Sequence, residues 1–344
     1  MTNSPPKQLK KPALLAPGGS GEMARISLDA GADMVYMGPR GWSRRTRSFE
    51  VDDDAIFRVV EYARGLGRTV KLAFNCLPSP GELPLGLAAI GRYVEMGVRD
   101  FIMTDPGFAR RVKELYPRTR LTASVGCSVM NLREFRYYRD VGFDVIVAPC
   151  EMPPAELEEI RRHFDGQIEV LIHANLDYTY LGRCTMSSYF RCSHVEEEPG
   201  KDNFLGSPNR GGLCYRVCKS CWSVGQGSTV RLGKELGNTF FMSVDEIPRY
   251  VAMGIDCLKI QGREYSPGLV GEIVRFYRDY VDACALDLRA AEDPAWKVRA
   301  GELSAMRDAQ RDRRTKALLD ECSGRGEAIF AVPGKGEPSY PAPV

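Results

Sequence analysis

Short apolar runs alternate with longer amphipathic ones from residue 13 to about residue 265. Nine runs read as strands: Leu14–Ala16, Met34–Met37, Val70–Asn75, Phe101–Thr104, Leu121–Ser124, Val145–Ala148, Ile168–His173, Phe240–Ser243 and Cys257–Ile260. Their shortness and apolar character suit parallel strands covered on both faces. Between them, helical periodicity stops repeatedly at a glycine. Glu22–Ala30 ends before Gly31, Asp53–Leu66 before Gly67, a run through Glu95 before Gly97, Leu132–Val141 before Gly142, and Val244–Met253 before Gly254.

Four phrases share one design: "DAGADMVYMG", "EMGVRDFIMTD", "DVGFDVIVAP" and "AMGIDCLKIQG" each run helix end, Gly, short turn, Asp or Arg-Asp, apolar strand. A repeated helix–Gly–strand joint predicts an α/β fold, here a (β/α)8 barrel of the TIM type. An open doubly wound sheet is the lesser alternative, because "APGGSGEM" after the first strand lacks the G-x-G-x-x-G spacing of a dinucleotide site. Nine strands are one more than a barrel needs, so either one is not a strand or one lies outside the barrel. The pattern breaks near Asp177 and resumes near Asn238, which predicts an insertion over 177–238 at the C-terminal face, where barrels build active sites. The barrel is expected over 12–285, closed by a helix over Val270–Ala285. A helical extension, interrupted at Pro294, follows over 286–325, and a flexible Pro/Gly tail over 326–344.

The chain has 344 residues, 44% hydrophobic and 27% charged, with 47 Lys plus Arg against 45 Asp plus Glu. This composition excludes a mostly disordered chain, and a net charge of +2 argues against a protein that coats phosphate backbones. No apolar run approaches the roughly 20 residues of a bilayer span. Residues 1–12 carry Lys7, Lys10 and Lys11 but no apolar segment of secretory type, so the expected location is the cytoplasm.

Five of the 11 cysteines, Cys184, Cys192, Cys214, Cys218 and Cys221, fall within 38 residues of the interrupted stretch. Their density and the Cys214-x3-Cys218-x2-Cys221 spacing point to a metal. Zinc, with His194 as a further ligand, and a cubane iron–sulfur cluster both fit; isolated buried thiols are the bland alternative. At the predicted strand ends stand Asn75, Asp105, Ser124, Glu151, His173 and Arg263. His173, Arg263 and Asp105 are the catalytic candidates. Arg263 either clamps an anionic substrate through paired hydrogen bonds or forms an ion pair with Asp105 or Glu151. Arg40, Arg44, Arg45 and Arg47 follow the second strand; the first three, with Asn75, are the substrate-binding candidates, a solvated loop being the alternative. Proteolysis finds little support: there is no G-x-S-x-G or H-E-x-x-H, and Cys150 with His173 as base lacks a third member.

The segments "LLAPGGSGEMARISLDAGADMVYMG", "FIMTDPGFARRVKELYP", "IEVLIHANLDYTYLGRC", "NRGGLCYRVCK" and "IDCLKIQGREYSPGLVGEIVRFYRDYVDA" resemble the peptidase U32 (collagenase-like) family over about residues 12–285. That resemblance implies kinship with proteins first described as proteases, among them oxygen-independent hydroxylases of ubiquinone precursors and others that hydroxylate tRNA or ribosomal RNA. It also implies a [4Fe-4S] cluster on four cysteines, and prephenate as a partner metabolite or oxygen source. Matched residue by residue, the ligands are Cys184 of "GRC", Cys214 and Cys218; the family's first ligand falls on Asp177. Cys221 is the replacement taken here, with Cys192 and Asp177 itself as alternates. The leading expectation is an iron–sulfur hydroxylase of a small anionic or aromatic substrate that works without O2. RNA is placed second, because of the +2 charge and because no RNA-binding domain follows residue 285. Third comes a non-catalytic, metal-stapled subunit, and a homo- or heterodimer with a related chain is the expected assembly.

Overall fold

The computed structural model describes residues 9–44, 49–175, 223–224, 230–231 and 240–324. All nine predicted strands form: β1 (Ala13–Pro17), β2 (Met34–Met37), β3 (Thr69–Phe74), β4 (Asp100–Met103), β5 (Arg120–Ala123), β6 (Val145–Val147), β7 (Gln167–Asn175), β10 (Phe240–Met242) and β11 (Cys257–Ile260), with the two-residue strands β8 (Ser223–Val224) and β9 (Val230–Arg231) paired between β7 and β10. β1 to β7 run parallel in chain order, and β11 closes the barrel between β7 and β1. The ninth predicted strand is β10, and it lies outside the eight. β7 is nine residues long against three for β6, and β10 pairs antiparallel with its last three residues.

The helices are α1 (Gly21–Asp29), α2 (Asp53–Gly65), α3 (Leu83–Glu95), α4 (Pro106–Leu115), α5 (Leu132–Val141), α6 (Pro154–His163), α7 (Ile247–Ala252), α8 (Pro267–Leu286) and α9 (Ala295–Gly324). None is long and apolar enough to cross a membrane among the described residues. The predicted glycine stops hold: Gly31, Gly97, Gly142 and Gly254 take φ of 105°, 97°, 117° and 74°, the left-handed conformation that ends a helix. α4 and α6 carry no such signal. They end instead at Tyr116 and Phe164, at φ of −129° and −131°, and periodicity read from glycine stops passes over both.

The aspartate of the repeated phrase acts at the bottom of the barrel. Asp33, just before β2, accepts a hydrogen bond from the Leu14 amide of β1 at 2.8 Å, while its own amide donates to the Leu14 carbonyl. Asp144 does the same with Leu121 of β5, and Asp256 with Ile168 of β7. In each of these three the Asp sits two residues after the glycine. In the fourth phrase it sits three after Gly97, and the period of two turns Asp100 into the barrel interior, where burial raises its carboxyl pKa.

Alternation along the strands separates two cores. Leu14, Ala16, Val35, Met37, Leu72, Phe101, Ile146 and Leu258 pack outward against the helices; Leu15, Tyr36, Ala73, Ile102 and Cys257 pack inward. The interior is not apolar throughout, as the strand runs had suggested. Glu169 of β7 is 0% exposed and meets Lys71 of β3 (1% exposed) at 3.1 Å and Lys259 of β11 (9%) at 2.8 Å. Burial alone would raise the Glu169 carboxyl, but the two ammonium groups outweigh it and hold the pKa at about 2. Glu169→Gln leaves two buried lysines without their anion. Removing one side of such a contact costs about 3–5 kcal/mol, so urea denaturation of this variant should show a loss of that order; a loss under about 1 kcal/mol would mean the three charges do not act together.

Candidate functional site

At the C-terminal mouth, two loops are held in place by side chains of the candidate set. Arg44 donates its backbone amide to Asn75 Oδ1 at 3.1 Å, and the Asn75 carbonyl accepts from Thr104 Oγ1 at 3.3 Å. Gly126, just after β5, lies under Arg44: a Cβ there would come within 2.9 Å of Nη1. Ser124 accepts from the Gly126 amide. Arg44, Asn75 and Ser124 are thus brought together. Arg40 is exposed, and its amide bonds to the Val51 carbonyl. Arg45 and Arg47 lie outside the described residues. Asp105 serves as the N-cap of α4, accepting from the Phe108 amide at 2.7 Å.

Arg263 occupies a second cluster. It is 6% exposed, and its guanidinium carbon lies 5.5 Å from the centre of the Tyr36 ring, which Lys259 Nζ also approaches, at 4.8 Å. Two glycines make room for it. A Cβ on Gly38 would fall on the Arg263 guanidinium and within 2.8 Å of Ser43 Oγ, and one on Gly19 would strike the Arg263 backbone carbonyl. Glu50 fixes the loop around Ser43, accepting from the Gly41 amide at 2.9 Å and from Ser43 Oγ at 3.2 Å. The layer Glu169–Lys259–Tyr36–Arg263 therefore leads cationic groups from the interior to the mouth. Sequence reasoning picked out Arg263 alone. Lys259 four residues earlier on a barrel strand, and Lys71 and Glu169 on two others, were the available signal.

His173 does not enter the mouth. The register slips by one between Lys259 and Ile260, so Leu171 pairs with Lys259 but His173 with Ile260. The slip sends the ring outward against α8, where Phe240, Tyr265 and Tyr277 surround it edge-on with centroids 4.6, 5.8 and 6.0 Å away. Neither ring nitrogen has a hydrogen-bond partner among the described residues, so the Cys150–His173 nucleophile–base pair is not formed. Burial, reinforced by Arg307 and opposed by Glu264, lowers its pKa to about 3.

The metal candidates Cys184, Cys214, Cys218 and Cys221, with the alternates Cys192 and Asp177, lie outside the described residues. Among the described residues no three His, Cys, Asp or Glu side chains gather as a metal site.

Two outcomes follow from these placements. The His173 ring is neutral in the folded and unfolded chains above pH 6.5; below it the unfolded chain takes up the proton first, so stability falls as pH drops towards about 3. The loss near pH 5 should be about 2 kcal/mol, and His173→Phe should flatten it between pH 6.5 and 4.5, before Glu169 begins to titrate; an unchanged slope in urea midpoints would count against this origin. Gly19→Ala meets backbone and should cost about 1–3 kcal/mol. Gly38→Ala meets the movable Arg263 guanidinium but also the Cβ of the buried Ser43, 2.9 Å away, so it should displace Arg263 and cost a similar amount. Thermal melts that show no loss for either variant would contradict this crowding.

The model of "Peptidase family U32" matches residues 19–313. A tRNA hydroxylation protein P1 of Bacillus subtilis is 29% identical over 290 residues, covering 81% of this chain and 65% of its own. The 23S rRNA 5-hydroxycytidine C2501 synthase of Escherichia coli is 28% identical over 276 residues, covering 78% of this chain and 39% of its own. The chain thus spans less than two thirds of the length of either relative. A solved U32 peptidase structure superposes with a TM-score of 0.51 at 11% identity, over 77% of this chain and 98% of that one, and so shares the fold. The match over residues 19–313 places the chain in peptidase family U32.

Proposed function

We propose that the chain is an oxidoreductase that hydroxylates nucleosides of tRNA or ribosomal RNA, with its chemistry at the barrel mouth. The observation that carries this reading is similarity across the barrel itself: the two relatives, aligned over 81% and 78% of this chain, are named for RNA hydroxylation. This reverses the order expected from the sequence, where a +2 charge put RNA behind a small organic substrate. Net charge governs long-range attraction and says nothing about a local site. A proteolytic reading is not favoured, since His173 is shut in an aromatic box and bonds to no nucleophile among the described residues.

Cys184, Cys214, Cys218 and Cys221, with Cys192 or Asp177 as substitutes, would hold a [4Fe-4S] cluster or, alternatively, zinc; thiolate donors suit both. A cluster, when bound, supplies electron transfer and Lewis acidity. The chain's own part is to place the reactants: Arg263 and Lys259 suit a small carboxylate, such as a prephenate-like oxygen donor, while Tyr36 floors the site. The test compares nucleoside mass spectra of tRNA and rRNA from deletion and parent strains. A nucleoside one oxygen heavier should vanish on deletion, and anaerobically purified protein should carry iron and sulfide. Unchanged spectra would overturn the RNA reading, and stoichiometric zinc without iron would overturn the cluster.

A further inference from the structure

Two lysines divide one carboxylate inside the barrel, and they differ in depth. Lys71 Nζ meets Glu169 Oε2 at 3.1 Å and Thr122 Oγ1 at 3.4 Å, with its side chain 1% exposed. Lys259 Nζ meets Glu169 Oε1 at 2.8 Å, and its side chain is 11% exposed. Lys259 is the next-to-last residue of β11, and barrels place their reacting groups at the ends of strands on this face. Its ammonium stands 4.8 Å from the centre of the Tyr36 ring, which the Arg263 guanidinium approaches at 5.5 Å. One cation suffices to neutralise one buried carboxylate. The second, partly open lysine exceeds that need.

Resting on the small-carboxylate site of the proposed function, we infer that Lys259 forms a protonated Schiff base with the ketone of a 2-oxo carboxylate, whose acid group pairs with Arg263. Lysine amines bind carbonyl substrates covalently in this way. The step needs no oxidant or reductant. A bond forms between Nζ and the ketone carbon, and the carbon–oxygen bond breaks. The oxygen leaves as water with two of the three ammonium protons, and the third stays on the iminium nitrogen. Glu169 Oε1, at 2.8 Å, is placed to take the proton that must leave before Nζ attacks and to return it to the departing hydroxyl. Lys71 gives Glu169 a second cation while Lys259 passes through its neutral state. Ammonium and iminium carry the same charge, so the buried carboxylate is paired at both ends of the step. Arg263 favours an acid group beside the ketone through charge-assisted hydrogen bonds, which separates 2-oxo acids from simple ketones.

Pyruvate with sodium cyanoborohydride, added to the full chain, traps such an adduct as a stable secondary amine. The intact mass should rise by one pyruvic acid less one oxygen, and peptide mapping should place the gain on Lys259. Lactate, which has the carboxylate but no ketone, should leave the mass unchanged. Lys259→Arg keeps a cation opposite Glu169, so it should retain the parent circular dichroism and lose the adduct. Arg263→Gln should keep the adduct but need about tenfold more pyruvate for half-labelling. No adduct on the parent chain, or labelling of exposed lysines with Lys259 unmodified, would overturn the proposal whether or not the variants fold. Pyruvate that binds in equilibrium dialysis without forming an adduct would overturn the covalent step and leave the carboxylate site standing. Unchanged nucleosides in the deletion strain, with Lys259 labelled, would instead sink the RNA reading and support the Schiff base.

Discussion

Glu169 is the single anion that two interior lysines share, and it reaches them across the barrel. Lys71 stands on β3, Lys259 on β11 and Glu169 on β7, so one carboxylate ties three strands that are not all neighbours. Charges taken out of water destabilise unless they are paired and hydrogen-bonded, so the arrangement holds only with all three in place. Its surplus is a positive charge, and Lys259 carries that surplus up to the Tyr36 ring beside Arg263. The electrostatics of the mouth are thereby set from inside the barrel.

The mouth owes its shape to the mismatch between β7 and β6. Because β7 runs on after β6 stops, a further strand is needed, and β10 supplies it in the opposite direction. β7 also carries, against β11, the register slip that turns His173 out of the barrel while Leu171 and Ala174 pack inward with Val147. One overlong strand therefore explains both the extra pairing and the excluded histidine.

The architecture was largely legible because its signals are local. Apolar runs located the eight barrel strands and β10, though not the two-residue β8 and β9, and glycine stops located the helices that end at positive φ. Helices α4 and α6 were missed because they close at negative φ, without a glycine. The site was legible in part. Arg263, Asn75 and Arg44 do lie at strand ends near the mouth, but Asp105 at a strand end is consumed in capping α4. His173 was misplaced because strict alternation holds only without a register slip, which no single sequence displays. The Lys71–Glu169–Lys259 contact joins residues up to 188 positions apart, and no spacing rule links them.

The three aspartates that clasp the preceding strand at Leu14, Leu121 and Ile168 act at the end remote from the mouth. Each grips both the amide and the carbonyl of its partner residue, which leaves the strand one permitted alignment. Alignment is therefore decided at the floor, and the upper loops are relieved of that duty. A long cysteine-rich segment can leave from the top of β7, and a proline-rich turn from the top of β6, without disturbing which residues face inward. The floor behaves as a jig, and the rim is free to be rebuilt for different substrates on the same frame.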